Sequence, residues 1–208
     1  MSNVKLYGIA ASRAFRSLWA AEEIGLDYDH VPTHFRGDAQ TDEYRAVNPN
    51  ARIPALVEGD VKLFESMAIN LYLARRYGDG LVPADAAGEA QVFQWSVWAI
   101  SEIEPLQMQI VIQTFFTPED KRDAAVIERA AAQLARPLGV LDAHLEDRNW
   151  LLGDSFTLAD LNLAAVMDLL GMVQFDLSAH GNVTRWLDAC RARPSYAAAK
   201  ALGEQGAA

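Results

Sequence analysis

The sequence predicts a small mixed α/β domain followed by an all-helical domain. Three observations carry that expectation. Strand and helix signals alternate up to about residue 80, a stretch rich in Gly, Pro and Asp follows ("GDGLVPADAAGE", Gly78 to Glu89), and no strand signal occurs beyond it. The length of 208 residues suits one compact domain or two small ones. The expected division is 1–79 for the α/β domain, 80–88 for a linker and 89–208 for the helical domain.

"VKLYG" reads as the first strand. A helical pattern begins near Ser12, with Phe15, Leu18, Trp19 and Glu22 at helical spacing and Gly25 as its stop. "YDHVPT" is a second short strand, followed by a loop with one helical turn. "IPALVEGDVKLF" is two strands around Gly59-Asp60. "ESMAINLYLARRYG" is a helix with Ile69, Tyr72, Leu73 and Arg76 or Tyr77 on one side and Gly78 as C-cap. The long apolar stretch "AQVFQWSVWAISEIEPLQMQIVIQTFF" is a helix that Pro105 should bend rather than end. "EDKRDAAVIERAAAQLARPLGVLDAHLED" is a second long helix, kinked or broken at Pro137. "TLADLNLAAVMDLLGM" is a third, and two shorter helices lie near "VTRWLDACRAR" and "PSYAAAKAL".

Composition excludes several classes. About half of the residues are apolar, enough for a real core, and the net charge is −10. Nucleic acid is not the expected partner, because a phosphate-binding face needs clustered Lys and Arg. The single cysteine, Cys190, leaves no internal disulfide framework and reads as a buried small hydrophobe. "MSNVKLYGIA" is not a signal peptide, and no apolar run is long enough to cross a bilayer. The four histidines and one cysteine show no metal-ligand spacing. The expectation is a cytoplasmic protein with no metal and no membrane or nucleic-acid partner.

The chemistry sits in the first half. Ser12, with Arg13 and Arg16 beside it, either caps the first helix or donates a hydrogen bond to a thiolate near the helix start, which would lower the thiol's pKa. No histidine lies nearby in sequence to act as its base, and "AASRA" is no nucleophile elbow. Pro54 follows Ile53 at the start of a strand. An X-Pro bond is cis in only about 5–6% of folded cases, so local sequence favours trans. A cis bond would turn the Ile53 backbone outward to pair with an extended peptide. Ser66 either caps the helix it begins or, with that helix's backbone N–H groups, holds a carboxylate. Glu65 suits an ammonium, and Arg52 suits a second carboxylate or is a solvated surface arginine. Places for an anion, an ammonium, a second carboxylate and a thiolate together outline glutathione.

With these residues in place the chain resembles a cytosolic glutathione transferase over nearly its whole length. "NPNARIPALVEGDVKLFES" is similar to the family's segment from Asn-Pro through a cis-proline to a Glu-Ser pair. "GDSFTLADLNLA" resembles its signature in the helical domain, where Thr157 and Asp160 form a capping box. "KLYGIAASRAFRSLWAAEEIGLDYD" resembles the serine-type classes, phi and theta, and their bacterial relatives. The resemblance implies a thioredoxin-like βαβαββα domain with a mixed four-stranded sheet, then a helical bundle. It implies Ser12 as the catalytic serine and Pro54 as the cis-proline. It places Ile53 at the cysteinyl backbone, Arg52 at the glycyl carboxylate, and Glu65 and Ser66 at the γ-glutamyl end.

Two departures stand out. "DAQT" replaces the basic pair of phi enzymes, leaving Gln40 a weak polar contact, and Asn50 replaces the aromatic that locks their dimers. The family's tyrosine-type classes make Tyr7 the alternative to Ser12. The implied co-substrate is a small apolar electrophile, bound between the domains against Phe15, Phe35, Trp98, Met108, Ile112 and Phe115, with Trp95 in the core. A homodimer is implied. Conjugation leads; a glutathione-binding carrier with little turnover, an interaction module, and a glutathione-dependent isomerase, dehalogenase or peroxidase remain alternatives.

Overall fold

The computed structural model describes residues 3–204. The outer ends of the two expected domains, residues 1–2 and 205–208, lie outside the described residues. Residues up to Ala84 together with those from Arg191 onward form one compact unit, and Asp85–Cys190 form a second.

The first unit is built on a sheet of β1 (Val4–Tyr7), β2 (Asp29–Val31), β3 (Ala55–Glu58) and β4 (Val61–Phe64), in the order β2-β1-β3-β4. β1 and β2 are parallel, joined by the crossover helix α1 (Phe15–Ile24), as a parallel pair requires. β3 runs antiparallel to β1 and β4 antiparallel to β3. Gly59-Asp60 is the two-residue hairpin loop, and Gly59 takes a positive φ of 57° that carries no Cβ penalty in glycine. The short helix α2 (Asp42–Arg45) fills the predicted helical turn; the Thr41 hydroxyl accepts the Tyr44 N–H at 3.2 Å. α3 (Ser66–Tyr77) follows β4.

Strand period two and helix period 3.6 meet in the core of this unit. Val4, Leu6 and Leu56 pack with Leu18 and Ala21 of α1 and with Ile69 and Leu73 of α3. One residue out of phase, Tyr7 and Ala55 join Ala39 and Tyr44 in a separate cluster. The expected face of α3 splits in two. Ile69 and Leu73 are buried, whereas the hydroxyls of Tyr72 (2.7 Å) and Tyr77 (2.6 Å) and Nε of Arg76 (2.9 Å) donate to the Glu58 carboxylate. Desolvation pushes that carboxyl up, but the donors outweigh it and hold it below its usual range. Gly78 ends α3 in extended conformation, not left-handed. A Cβ there would meet the Ala74 carbonyl oxygen at 3.0 Å, so the position needs space rather than positive φ.

The sequence placed everything after residue 89 in the helical domain. The structure instead places α9 (Pro194–Glu204) in the first unit, where it packs along α1. Arg193 and the Ser195 hydroxyl both donate to the Glu23 carboxylate, and Ser195 accepts the Trp19 indole N–H at 3.0 Å.

In the second unit, α4 (Ala86–Trp98) begins three residues before the expected boundary, because Asp85 caps it by accepting the Gly88 N–H at 2.9 Å. A wide π-type turn, Ala99–Ile103, precedes α5 (Glu104–Val111), and Pro105 stands in its first turn, where a missing N–H removes little. α6 (Ala124–His144) continues through Pro137 without a break. Every residue of α7 (Leu158–Met172) from Leu158 to Asp168 is buried. Side-chain hydrogen bonds tie it to its neighbours: its Asn162 amide donates to the Ser96 hydroxyl of α4 at 2.8 Å, and the Gln107 amide of α5 donates to its Val166 carbonyl at 2.7 Å. α8 (Gly181–Arg191) carries the buried Cys190.

The predicted capping box at the start of α7 is present, and Asp160 does more than cap. Its carboxylate accepts the Thr157 N–H (2.9 Å) and hydroxyl (3.0 Å), the Leu151 N–H (2.7 Å) and the Trp186 indole N–H (2.9 Å). Burial pushes its pKa up even against these donors. Among the described residues, no helix is long and apolar enough to cross a membrane, and no group of three His, Cys, Asp or Glu is placed to hold a metal.

Candidate functional site

The turn between β1 and α1 carries Ser12. Gly8 opens it at φ 138°, and a Cβ there would lie 2.4 Å from the Ala14 Cβ, so the turn closes only around glycine. α1 starts at Phe15 with Ala14 as N-cap and no capping side chain. Ser12 is therefore not the helix cap that the pattern offered. Its hydroxyl, half-buried, spans the turn instead: it donates to the Ile9 carbonyl at 2.6 Å and accepts the Ala14 N–H at 3.1 Å. Arg13 is exposed and Arg16 is buried. Tyr7 is half-buried with its ring edge-on to Tyr44, 5.8 Å between centroids.

The Ile53-Pro54 bond is cis, as the resemblance implied and local sequence did not. The Arg52 carbonyl just before it accepts both the Tyr44 hydroxyl at 2.8 Å and the Asn48 amide at 2.6 Å. Burial pushes the Tyr44 hydroxyl up to about 12, so it remains a donor at neutral pH. Neither residue was in the sequence-derived set. The Asn-Pro motif marked Asn48 without giving it a role, and nothing marked Tyr44. The Arg52 side chain is exposed. Gln40 is already engaged: its amide donates to the carbonyls of Phe35 (2.9 Å) and Ala51 (3.1 Å), and its Oε1 accepts from Arg45 at 3.1 Å. It ties loops together rather than offering an open polar contact.

At the start of α3 the expected roles shift by one. Glu65, not Ser66, holds the N-cap position, at φ 69° and ψ 113°, and Ser66 is the first helical residue, 6% exposed. That backbone conformation costs a non-glycine residue about 1–3 kcal/mol. No side chain caps α3, so its first N–H groups and the helix dipole favour an external anion, beside an exposed carboxylate.

The sheet register gathers these parts. Tyr7, Ala55 and Phe64 are paired in one row across β1, β3 and β4. One residue beyond that row lie Gly8, Pro54 and Glu65. A hydroxyl, a turned-out backbone and an uncapped helix start therefore share one end of the sheet.

The apolar set divides. Phe15 is 4% exposed, with Tyr196 edge-on to its ring at 5.5 Å and Lys200 Nζ 4.3 Å from its centroid, so it is a packed side chain and not an open contact. Phe35 is half-buried with His34 stacked on it. In the second unit Trp98 and Met108 are half-buried and Trp95 is buried, as expected. Ile112 and Phe115 are about half exposed, 45% and 50%, in a second wide turn, Ile112–Phe116, and Phe116 beside them, unforeseen, is 54% exposed.

Residues 2–75 match the family model for the glutathione S-transferase N-terminal domain, and residues 103–194 match that for the C-terminal domain. Glutathione S-transferase 3 of Zea mays is 37% identical over 206 residues, spanning 94% of this chain and 92% of that protein. Among solved structures, a theta class glutathione S-transferase from Xanthomonas axonopodis pv. citri, with glutathione bound, matches with a TM-score of 0.89 at 30% identity. The match covers 96% of this chain and 97% of that one. A glutathione S-transferase-I bound with lactoylglutathione matches with a TM-score of 0.87 at 31% identity, covering 97% of this chain and 100% of that one.

Proposed function

The chain belongs to the glutathione S-transferase family, and from that premise we propose how its residues conjugate glutathione to a small apolar electrophile, with Ser12 at the sulfur. It is a glutathione transferase, and glutathione is its co-substrate. The row Tyr7–Ala55–Phe64 carries the reading, because it sets the Ser12 turn, the cis-proline and the Glu65-Ser66 pair side by side. We read it as a serine-type enzyme of phi- and theta-like character. It would work in the cytoplasm, where glutathione keeps thiols such as the lone Cys190 reduced.

In this reading the Ser12 hydroxyl swings from the Ile9 carbonyl to the sulfur, exchanging a neutral acceptor for an anion. A charge-assisted bond is about twice as strong as a neutral one, and it stabilises the thiolate over the thiol. The thiol proton passes to water, and the thiolate attacks the electrophile: the C–S bond forms as the bond to the leaving group breaks, and the leaving group departs with that bond's electron pair. Ile53 pairs its backbone with the cysteinyl unit. Glu65 meets the γ-glutamyl ammonium, the Ser66 N–H and hydroxyl meet its carboxylate, and Arg52 meets the glycyl carboxylate. Tyr44 and Asn48 hold the Arg52 carbonyl and so position the cis-proline segment. Gln40 enters only by bracing the loop. Phe35, Trp98, Met108, Ile112 and Phe115 supply apolar contacts for the electrophile, with Phe116 added and Phe15 removed.

Glu65→Ala and Arg52→Ala test the binding roles. Each removes a contact that glutathione makes equally in ground and transition states, so KM for glutathione should rise about tenfold or more with kcat nearly unchanged. An unchanged KM in both variants removes these assignments.

The homodimer is proposed to use α4. Phe93 and Val97, 63% and 39% exposed, stand four apart on one face of α4, and Ile100, 39% exposed, follows in the wide turn Ala99–Ile103. Sedimentation should give twice the 22.9 kDa chain mass, and Phe93→Glu should shift it to monomer. A dimer that survives Phe93→Glu refutes the face, and a monomeric parent refutes the dimer.

A further inference from the structure

We infer that α9 is a positioning element for the Ser12 turn, acting through the close approach of Gly203 to Ala10. The inference rests on the assignment of Ser12 to the sulfur.

α9 follows α1 from one end to the other. At one end Arg193 and Ser195 fasten to Glu23, near the end of α1, and Ser195 also takes the Trp19 indole N–H. In the middle, Tyr196 stands edge-on to Trp19 at 5.1 Å and to Phe15 at 5.5 Å. Further along, Lys200 Nζ lies 4.3 Å from the Phe15 ring centroid. At the far end Leu202 and Ala10 both pack against the core cluster of the unit, and a Cβ on Gly203 would lie 3.4 Å from the Ala10 Cβ. The partners on the α1 side thus fall from residue 23 through 19 and 15 to 10 as α9 advances from 193 to 203.

Ala10 lies inside the loop that the Ser12 hydroxyl closes onto Ile9. Three local hydrogen bonds shape it, from Ser12 to Ile9, from Ala14 to Ser12 and from Phe15 N–H to the Ser12 carbonyl at 3.0 Å, and these three do not fix the loop against the rest of the unit. Gly8 anchors its start through β2, by its N–H to the Val31 carbonyl at 3.1 Å and its carbonyl to His30 Nε2 at 2.8 Å. α9 closes the other side. A Cβ at position 203 sits at ordinary contact distance, so a β-branched side chain there brings γ carbons into Ala10 and pushes the loop.

The test is the apparent pKa of enzyme-bound glutathione, read by thiolate absorbance against pH, together with kcat and KM. Gly203→Ile should raise that pKa and lower kcat about tenfold, the scale of a small misplacement of a catalytic group, with KM for glutathione held within about twofold. Ala10→Gly in the same chain should restore both by making room. Gly203→Ile added to Ser12→Ala should change nothing further. Should Gly203→Ile fail to fold, Gly203→Val paired with Ala10→Gly carries the same comparison. If Ser12→Ala shifts the thiol and the folded position-203 variants do not, α9 does not position the turn and the Ser12 reading stands. If Ser12→Ala itself has no effect, the Ser12 reading falls and this inference falls with it. A position-203 defect that Ala10→Gly leaves uncorrected also overturns it, because the effect then does not pass through Ala10.

Discussion

Replacing Ser12 by alanine should raise the pKa of bound glutathione toward that of the free thiol and lower kcat/KM by about 10- to 100-fold. A hydrogen bond to a charged group contributes about 1.5–3 kcal/mol, and each 1.36 kcal/mol is a factor of ten. Folding should be little affected. The variant strips a donor from the Ile9 carbonyl and an acceptor from the Ala14 N–H, but at a half-buried turn water replaces both. The pH–rate profile separates the two candidate donors. Its limb should move to higher pH in Ser12→Ala and stay in place in Tyr7→Phe, since Tyr7 is packed edge-on against Tyr44. A profile that moves only in Tyr7→Phe transfers the role to Tyr7.

Asp160→Ala should destabilise the fold by about 3–5 kcal/mol, the scale for breaking a buried charged network and far more than Ser12→Ala. One fully buried carboxylate gathers the N-terminus of α7, the backbone at Leu151 and the indole of Trp186 on α8. Alanine leaves the Leu151 and Thr157 N–H groups and the Trp186 N–H without acceptors in a dry site, each orphan costing about 1–3 kcal/mol before relaxation. Asp160→Asn keeps one acceptor oxygen and should lose less. Denaturant unfolding of the two variants checks the order, and an alanine variant as stable as its parent would show that the network contributes nothing net.

Much of the first unit, and the start of α7 in the second, was legible because the signals are local. The hairpin at Gly59-Asp60, the stops at Gly25 and Gly78 and the Thr157–Asp160 box depend on a few neighbouring residues, and the structure has them all. The site was legible in kind but displaced in detail. Serine is a common N-cap, so Ser12 and Ser66 both read as caps, yet Ser12 stands two residues before a cap formed by Ala14, and Ser66 one residue after Glu65. Backbone torsions set these offsets, Gly8 at φ 138° and Glu65 at φ 69°, and composition carries no trace of the second. Helical periodicity reported that Phe15 and Tyr196 have apolar neighbours but not which ones. The choice of α1 as the partner of α9 lies in the pairing of Glu23 with Arg193, 170 positions apart.

That pairing also sets an order of events during synthesis. Because α9 belongs to the first unit, the Ser12 turn lacks its outer support until the residues past 190 have left the ribosome, by which time all of Asp85–Cys190 has already been made. The helical unit is encoded in one uninterrupted segment and can mature as it emerges, whereas the unit that begins the chain is the one completed second.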